Sequence, residues 1–367
     1  MMTFIRHAWY AAARVDEVGN QPLARTFLDT PVVIFRNQAG EVGALLDACP
    51  HRAVPLSMGE VRDGLIRCPY HAMMFDVGGV CRYNPHVAGP PDRLKATSFP
   101  VVERHGFVWI WMGDAALADD SAIIDYSLFG PGSDYTIATD YLKIDAGYLL
   151  VIDNLMDLAH AEFIHAETVG SPGAHKVEQA KVVAEEGSIT VKTLWPDLPP
   201  NGVNRPIWTE SKHVDAWQDM TWRAPSNLYL DLGVNAPGKQ RSDGIHTPSA
   251  HILTPETERS THYFWCFARK FAPDDPAVTE GIKSVVNQAF GDEDRPILEA
   301  AQRRLDATGT RLRNLTVGDA GSAQVRRRIN QLLEQEAAIG ADGNSASGSA
   351  ADHVPPLHDV EASVAGP

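Results

Sequence analysis

The chain has 367 residues, a net charge of −15, 44% hydrophobic residues and 22% charged ones, the profile of a globular protein with room for a full core. The acidic balance excludes the basic stripe of a nucleic-acid binder. No apolar run reaches the ~18 residues of a membrane span, and Arg6, His7 and Arg14 break any signal-peptide pattern at the start. Four cysteines make no disulfide framework, so a reducing cytoplasm is the expected compartment.

In chain order, residues 1–115 carry short apolar runs separated by turn residues: Val32–Phe35, Val42–Leu46 and Phe107–Trp111. This pattern predicts a small all-β domain. Asp114–Asp125, rich in Ala and Asp, reads as a connection into a larger α+β domain over 116–336. There the apolar spacing predicts a helix from Gly147 to about Phe163 and strands at Asn227–Val234, His251–Thr254 and His262–Phe267. Trp195–Pro200, with three prolines, reads as a loop. Asp275 to about Asp306 is helical in pattern with a break or restart at Pro296, and Val325–Glu336 is a charged helix. The last segment, 337–367, turns to Gly, Ser, Ala, Asp and Pro and is expected to be a disordered tail.

Two constellations carry chemistry. In Cys49-Pro50-His51-Arg52 and Cys68-Pro69-Tyr70-His71, sixteen residues separate His51 from Cys68. Each loop offers one Cys and one His, unlike a zinc finger, which groups its cysteines and its histidines. That alternation suits a two-iron cluster in which one iron takes both thiolates and the other both imidazoles. Replacing two thiolates by neutral rings makes the cluster less negative and raises its potential to ~−150 to +300 mV.

The second constellation lies in Asp153–His165, which contains Asn154, Asp157, His160 and His165. Asp157 and His160 share a helix face. His160 and His165, five apart, lie ~140° apart on an ideal helix. They can meet at one metal only if the helix kinks, bulges or ends between them, and otherwise read as structural histidines.

These motifs resemble the Rieske non-haem iron oxygenases, whose cluster pattern is C-x-H followed by C-x-x-H and whose iron pattern is D-x-x-H-x4-H. The resemblance covers about residues 2–336 and is closest to the oxygenase components of vanillate O-demethylase and dicamba monooxygenase. Thr3–Tyr10, Asp153–His160, His251–Glu258, Tyr263-Phe264-Trp265 and Asp319-Ala320-Gly321 carry it. It implies a Rieske [2Fe–2S] domain with ligands Cys49, His51, Cys68 and His71, then a helix-grip catalytic domain, an antiparallel sheet around a long helix. It also implies mononuclear Fe(II) in a two-His-one-carboxylate site of His160, His165 and one acid among Asp292, Glu293 and Asp294, of which Asp294 best fits the family pattern, with Asn154 and Asp157 beside it.

In such enzymes Asp157 would link His160 to a cluster histidine of the adjacent subunit, which points to a homotrimer. His251 matches a pocket histidine that contacts a substrate carboxylate. Cys266 and Val285 fall where dicamba monooxygenase has Gly and Trp, and Ala72-Met73-Met74 departs from the usual Gly plus bulky residue. The implied reaction is O-demethylation of a methoxylated, vanillate-like aromatic acid with O₂, giving the phenol and formaldehyde. Hydroxylation of an aryl methyl, N-demethylation and pure electron transfer are the alternatives. No G-x-G-x-x-G fingerprint occurs, so NAD(P)H would act only through a separate flavin/iron–sulfur reductase or ferredoxin.

Overall fold

The computed structural model describes residues 4–86, 94–171, 173–201, 204–205, 207–310, 312–313 and 318–346. The first eleven strands are β1 (Trp9–Arg14), β2 (Leu23–Phe27), β3 (Thr30–Arg36), β4 (Val42–Leu46), β5 (Glu60–Arg62), β6 (Leu65–Arg67), β7 (Met74–Phe75), β8 (Cys81–Tyr83), β9 (Ser98–Phe99), β10 (Val101–Arg104) and β11 (Phe107–Trp111). They form three small antiparallel sheets, ordered β1-β11-β10, β2-β3-β4-β9 and β5-β6-β7-β8. Short 3-10 turns at Ala115–Leu117 and Asp120–Ala122, capped by Asp114 and Asp119, make the connection onward.

The second half begins with β12 (Thr136–Ile144), α1 (Tyr148–Met156) and α2 (Ala161–Ile164). It continues through β13 (Gln179–Glu185), β14 (Ser188–Leu198), β15 (Val214–Arg223), β16 (Asn227–Asn235), β17 (Ile245–His246), β18 (Ser249–Thr257) and β19 (Ser260–Arg269), and ends with α3 (Pro276–Asn287), α4 (Arg295–Thr308) and α5 (Asp319–Ala346). Eight of these strands form one antiparallel sheet, β12-β19-β18-β16-β15-β14-β13 with β17 on β16. The chain is thus an α+β protein, an all-β unit followed by a large antiparallel sheet with helices against it. Among the described residues no helix is long and apolar enough to cross a membrane.

Three sequence expectations are corrected. The helix expected over Gly147–Phe163 stops at Met156, because Asp157 turns extended and caps a separate 3-10 turn at Leu158–His160. Trp195–Leu198 is not loop but the end of β14. Its pairing jumps from Trp195↔Ala216 to Leu198↔Val214, so Pro196 sits in a bulge, where no ladder N–H is required. The restart expected at Pro296 is present, since α4 begins at Arg295 with Pro296 in its first turn, where its missing N–H goes unused. Finally, α5 continues to Ala346, ten residues into the expected tail. Ala337, Ala338 and Ala341 are the best helix formers and propagate an existing helix cheaply; residues 347–367 lie outside the described set.

The two halves share one hydrophobic core, with Phe27, Val32 and Ile34 in the same cluster as Ile144, Leu253 and Trp265. At the tip of the β2–β3 hairpin, Leu28 (φ 52°) and Asp29 (φ 62°) take the left-handed conformation at both central turn positions. Their amides donate to the carbonyls of Pro255 (2.9 Å) and Glu256 (2.9 Å) on β18. His262 on β19 donates from Nε2 to the Thr26 carbonyl (2.9 Å) and accepts at Nδ1 from the Tyr141 hydroxyl (2.8 Å). The first domain is therefore fixed against the second by backbone hydrogen bonds as well as by apolar burial.

Candidate functional site

The first site is built from one loop used twice. After β4, the Ala53 amide bonds the Cys49 carbonyl (2.8 Å) and the Cys49 amide bonds the Val54 carbonyl (2.8 Å). After β6, the Ala72 amide bonds the Cys68 carbonyl (3.1 Å) and the Cys68 amide bonds the Met73 carbonyl (2.8 Å). Each loop closes on an alanine in the left-handed region, Ala53 at φ 56° and Ala72 at φ 57°. Glycine would occupy that position without strain, which is the physical content of the Ala72 departure.

The loops bury Cys49 and Cys68 side by side and bring the His51 and His71 rings to a 4.5 Å separation. Burial, then the adjoining Cys68 thiol, pushes the Cys49 thiol up. Two thiols inside and two imidazoles at the rim match the donor set of a Rieske cluster. Tyr70, 63% exposed, lies against His71 with ring centroids 3.9 Å apart, so this edge faces outward.

The second site comes from three separated pieces. The break at Asp157 lets His160 and His165 turn toward each other, with ring centroids 5.3 Å apart. A π-helical segment, Gln288–Asp294, joins α3 to α4 and delivers Asp294, 3% exposed, between the two rings. Nε2 of His160 lies 3.6 Å from Oδ1 of Asp294, and Nε2 of His165 lies 3.2 Å from Oδ2. One donor atom from each of the three residues falls within 4.8 Å of the others. Two imidazoles and one carboxylate on one side of an open cavity suit ferrous iron with free coordination positions.

Of the two other acids considered, Asp292 points outward, exposed. Glu293 turns inward instead and accepts from Nδ1 of His165 (2.7 Å), Oγ1 of Thr168 (2.8 Å) and Nε2 of Gln288 (3.1 Å). That bond orients the His165 ring so that Nε2 faces Asp294. Neither Glu293 in this role nor Thr168 was apparent from the sequence, where only the Glu293-Asp294 adjacency hinted at it.

Asn154 donates from Nδ2 to Oδ1 of Asp294 (2.9 Å) and lies 3.5 Å from Nε2 of His160. Asp157 accepts from the Ala159 amide (3.1 Å). Burial holds His160 below its ordinary pKa despite the Asp294 charge. Burial also depresses His165, but hydrogen bonds to Asp294 and Glu293 outweigh it and carry the ring above its ordinary value.

Beside the triad is a mainly apolar cavity of about 530 Å³, lined by Leu158, Trp195, Met220, Leu230, Val285 and Phe290 among others. His251 lies in its wall, 2% exposed, with Nε2 on Oγ of Ser249 (2.7 Å) and Nδ1 on the Tyr263 hydroxyl (2.6 Å). Burial drives its pKa down to about 3, so the ring is neutral. No Lys or Arg is among the described residues lining the cavity.

Comparison with known proteins agrees with both centres. Residues 8–100 match the Rieske [2Fe-2S] domain family, and residues 144–335 match the vanillate O-demethylase oxygenase C-terminal domain family. The oxygenase component of dicamba O-demethylase from Stenotrophomonas maltophilia is 41% identical, the match covering 92% of this chain and 100% of that one. A vanillate O-demethylase oxygenase subunit from Pseudomonas sp. is 34% identical, covering 92% and 98%. The crystal structure of dicamba monooxygenase bound to dicamba superposes with a TM-score of 0.85 at 40% identity, covering 92% of this chain and 99% of that one.

Proposed function

Because the chain belongs to the vanillate O-demethylase family of Rieske non-haem iron oxygenases, we propose that it O-demethylates a methoxylated aromatic acid. The observation that carries this reading is the His160–His165–Asp294 triad opening directly onto an apolar cavity large enough for an arene. On this reading Cys49, His51, Cys68 and His71 hold the [2Fe–2S] cluster, and His160, His165 and Asp294 hold Fe(II). When bound, the two centres supply electrons and an O₂-binding position, so that one oxygen atom enters a methyl C–H bond and the other leaves as water. The hydroxylated methyl ether is a hemiacetal, and it releases formaldehyde to leave the phenol.

The chain's own residues set the conditions. Asn154 fixes Oδ1 of Asp294 and Glu293 fixes the ring of His165, so the donors are preorganised. The apolar walls exclude water around the reacting methyl group. His251, a neutral ring held by Ser249 and Tyr263, contacts the substrate from the cavity wall next to the triad. Electrons come from a separate flavin/iron–sulfur reductase or ferredoxin. With Cys49 and Cys68 on the cluster, Cys81 and Cys266 remain as buried thiols outside any disulfide, which fits a reducing cytoplasm.

Turnover of a methoxybenzoate series with a surrogate reductase tests the reading. It expects formaldehyde, phenol and consumed O₂ in equal amounts; a ring- or methyl-hydroxylated product without formaldehyde would overturn it.

The working unit on this reading is a head-to-tail trimer. The cluster and the triad occupy different domains, and side-by-side domains put such centres some tens of ångströms apart within one chain. A neighbour's outward cluster edge at His71 and Tyr70, placed near Asp157, would shorten that path, and head-to-tail contacts close into rings. Mixing a cluster-dead His71→Ala chain with an iron-dead His160→Ala chain should restore turnover. No recovery after demonstrated subunit exchange would mean that each chain works alone.

A further inference from the structure

Strand register turns the cavity floor into a ruler. Cross-strand partners share a face of the sheet. The row nearest the iron is Leu228↔His251↔Trp265, and His251 and Trp265 line the cavity. His251 marks the iron end because its ring is 5.4 Å from Phe290, in the π-helical segment that carries Asp294.

Two residues along β16 is a second row, Met220↔Leu230↔Ser249↔Phe267, all four lining the cavity. Two further along is a third. There Gln218 pairs with Leu232, and the Leu232 carbonyl accepts from the Thr247 amide (2.9 Å). Gln218, Leu232 and Thr247 all line the same cavity. Leu228 to Leu232 is four residues of strand, so the third row stands roughly 13 Å from the iron end.

The rows differ in chemistry. The middle row is apolar except for Ser249, whose hydroxyl is taken by His251. In the outer row the Thr247 hydroxyl, on a residue 3% exposed, and the Gln218 amide make no hydrogen bond to any described residue. Both polar groups line the cavity rather than being sealed off, so each can be satisfied there by water or by a ligand. Size gives an independent argument. Even at the ~30 Å³ per heavy atom that water takes in the liquid, a methoxybenzoate of about eleven heavy atoms needs less than ~330 Å³, against about 530 Å³ of cavity.

We propose that Gln218 and Thr247 form a distal polar subsite and that the preferred substrate is an elongated aryl methyl ether. Its methoxy group lies at the iron, its apolar body, such as a second ring, crosses Met220, Leu230 and Phe267, and its polar end meets Thr247 and Gln218. With no Lys or Arg among the described lining residues, that end is read by neutral hydrogen-bonding groups. The proposal rests on the demethylation reading and specifies its substrate.

The test compares 4-methoxybenzoate with 4′-methoxybiphenyl-4-carboxylate as substrates of the holoenzyme with a surrogate reductase. The wild-type protein should show kcat/KM about tenfold higher for the biphenyl acid. Thr247→Val combined with Gln218→Leu should reduce that preference about tenfold, as expected for two neutral hydrogen bonds, and Thr247→Ser should retain it. If the double variant loses its cluster absorbance, Thr247→Val alone carries the comparison. Equal or reversed preference in the wild type, or an unchanged preference in the variants, would overturn the subsite. If both acids are consumed without formaldehyde, the demethylation reading falls, and the Kd ratio of the two acids in wild type against variant then decides the subsite by itself.

Discussion

The Cys/His loops and the His160–His165–Asp294 triad each offer the donor set of a metal site, yet they are assembled in opposite ways. The loop at Cys49 and the loop at Cys68 repeat the same two backbone hydrogen bonds and the same left-handed alanine, and all four donors lie within residues 49–71. The triad needs a helix broken at Asp157 and a π-helical segment more than a hundred residues away to meet. A site encoded locally survives changes elsewhere; a composite one depends on the packing that joins its pieces. Its supporting residues, Asn154 and Glu293, are the joints.

That contrast can be broken most sharply at the triad itself. Asp294→Ala should abolish iron binding and turnover while leaving the cluster's visible spectrum intact. Full iron occupancy in the variant would show that Asp294 is no ligand. Next in size, Glu293→Gln should weaken iron affinity by ~10–100-fold, the usual consequence of losing a ligand's outer partner. Titration with Fe(II) under argon measures it, and an unchanged affinity would make Glu293 merely structural.

On the cluster side, His71→Cys should lower the reduction potential by several tenths of a volt, toward the ~−400 mV of all-cysteine clusters. A variant that keeps its cluster at the original potential would remove His71 from the ligand set.

The join between the two regions titrates. Burial, with Arg25 adding to it against the Thr26 carbonyl, holds His262 down at about 4. The fold therefore favours its neutral form. Stability is complete above the unfolded value of ~6.5, is lost as pH falls through the window toward 4, and changes no further below it. The fall in Tm between pH 6.5 and 4 should be smaller in His262→Gln, and equal slopes would show that this histidine does not govern the join. The smallest effect is expected at Ala72→Gly, which relieves a left-handed alanine and should raise stability by about 1 kcal/mol at most; a lower Tm would mean the methyl group packs usefully.

Legibility followed the same division. Cys49, His51, Cys68 and His71 stood out by spacing alone because a loop that grips a metal with neighbouring residues leaves its geometry in the sequence. His160 and His165 did not, since five residues on a regular helix point apart and only the extended turn at Asp157 reconciles them. The expected loop at Trp195–Leu198 failed because a bulge exempts Pro196 from the ladder. Thr247 and Gln218 were silent for a different reason. They become neighbours of one cavity only through the register of β15 against β16, which single-strand patterning does not encode.

The carboxylate of Glu336, deep in α5, accepts the backbone amides of Arg6 (2.9 Å) and His7 (2.5 Å). This clasp has a consequence for the order of events during synthesis. The residues it joins are 330 positions apart, and the Thr254 hydroxyl that bonds the Ala11 carbonyl (2.7 Å) comes 243 positions after its partner. At ~5–20 residues per second on the ribosome, Arg6 waits roughly 15–65 s for Glu336 to be made. Through that interval β1, with Tyr10 and Ala12 destined for the shared core, has only β11 to pair with. The domain made first is therefore finished last, and a nascent chain stalled before Glu336 carries an N-terminal edge open to chaperones, proteases and other copies of itself.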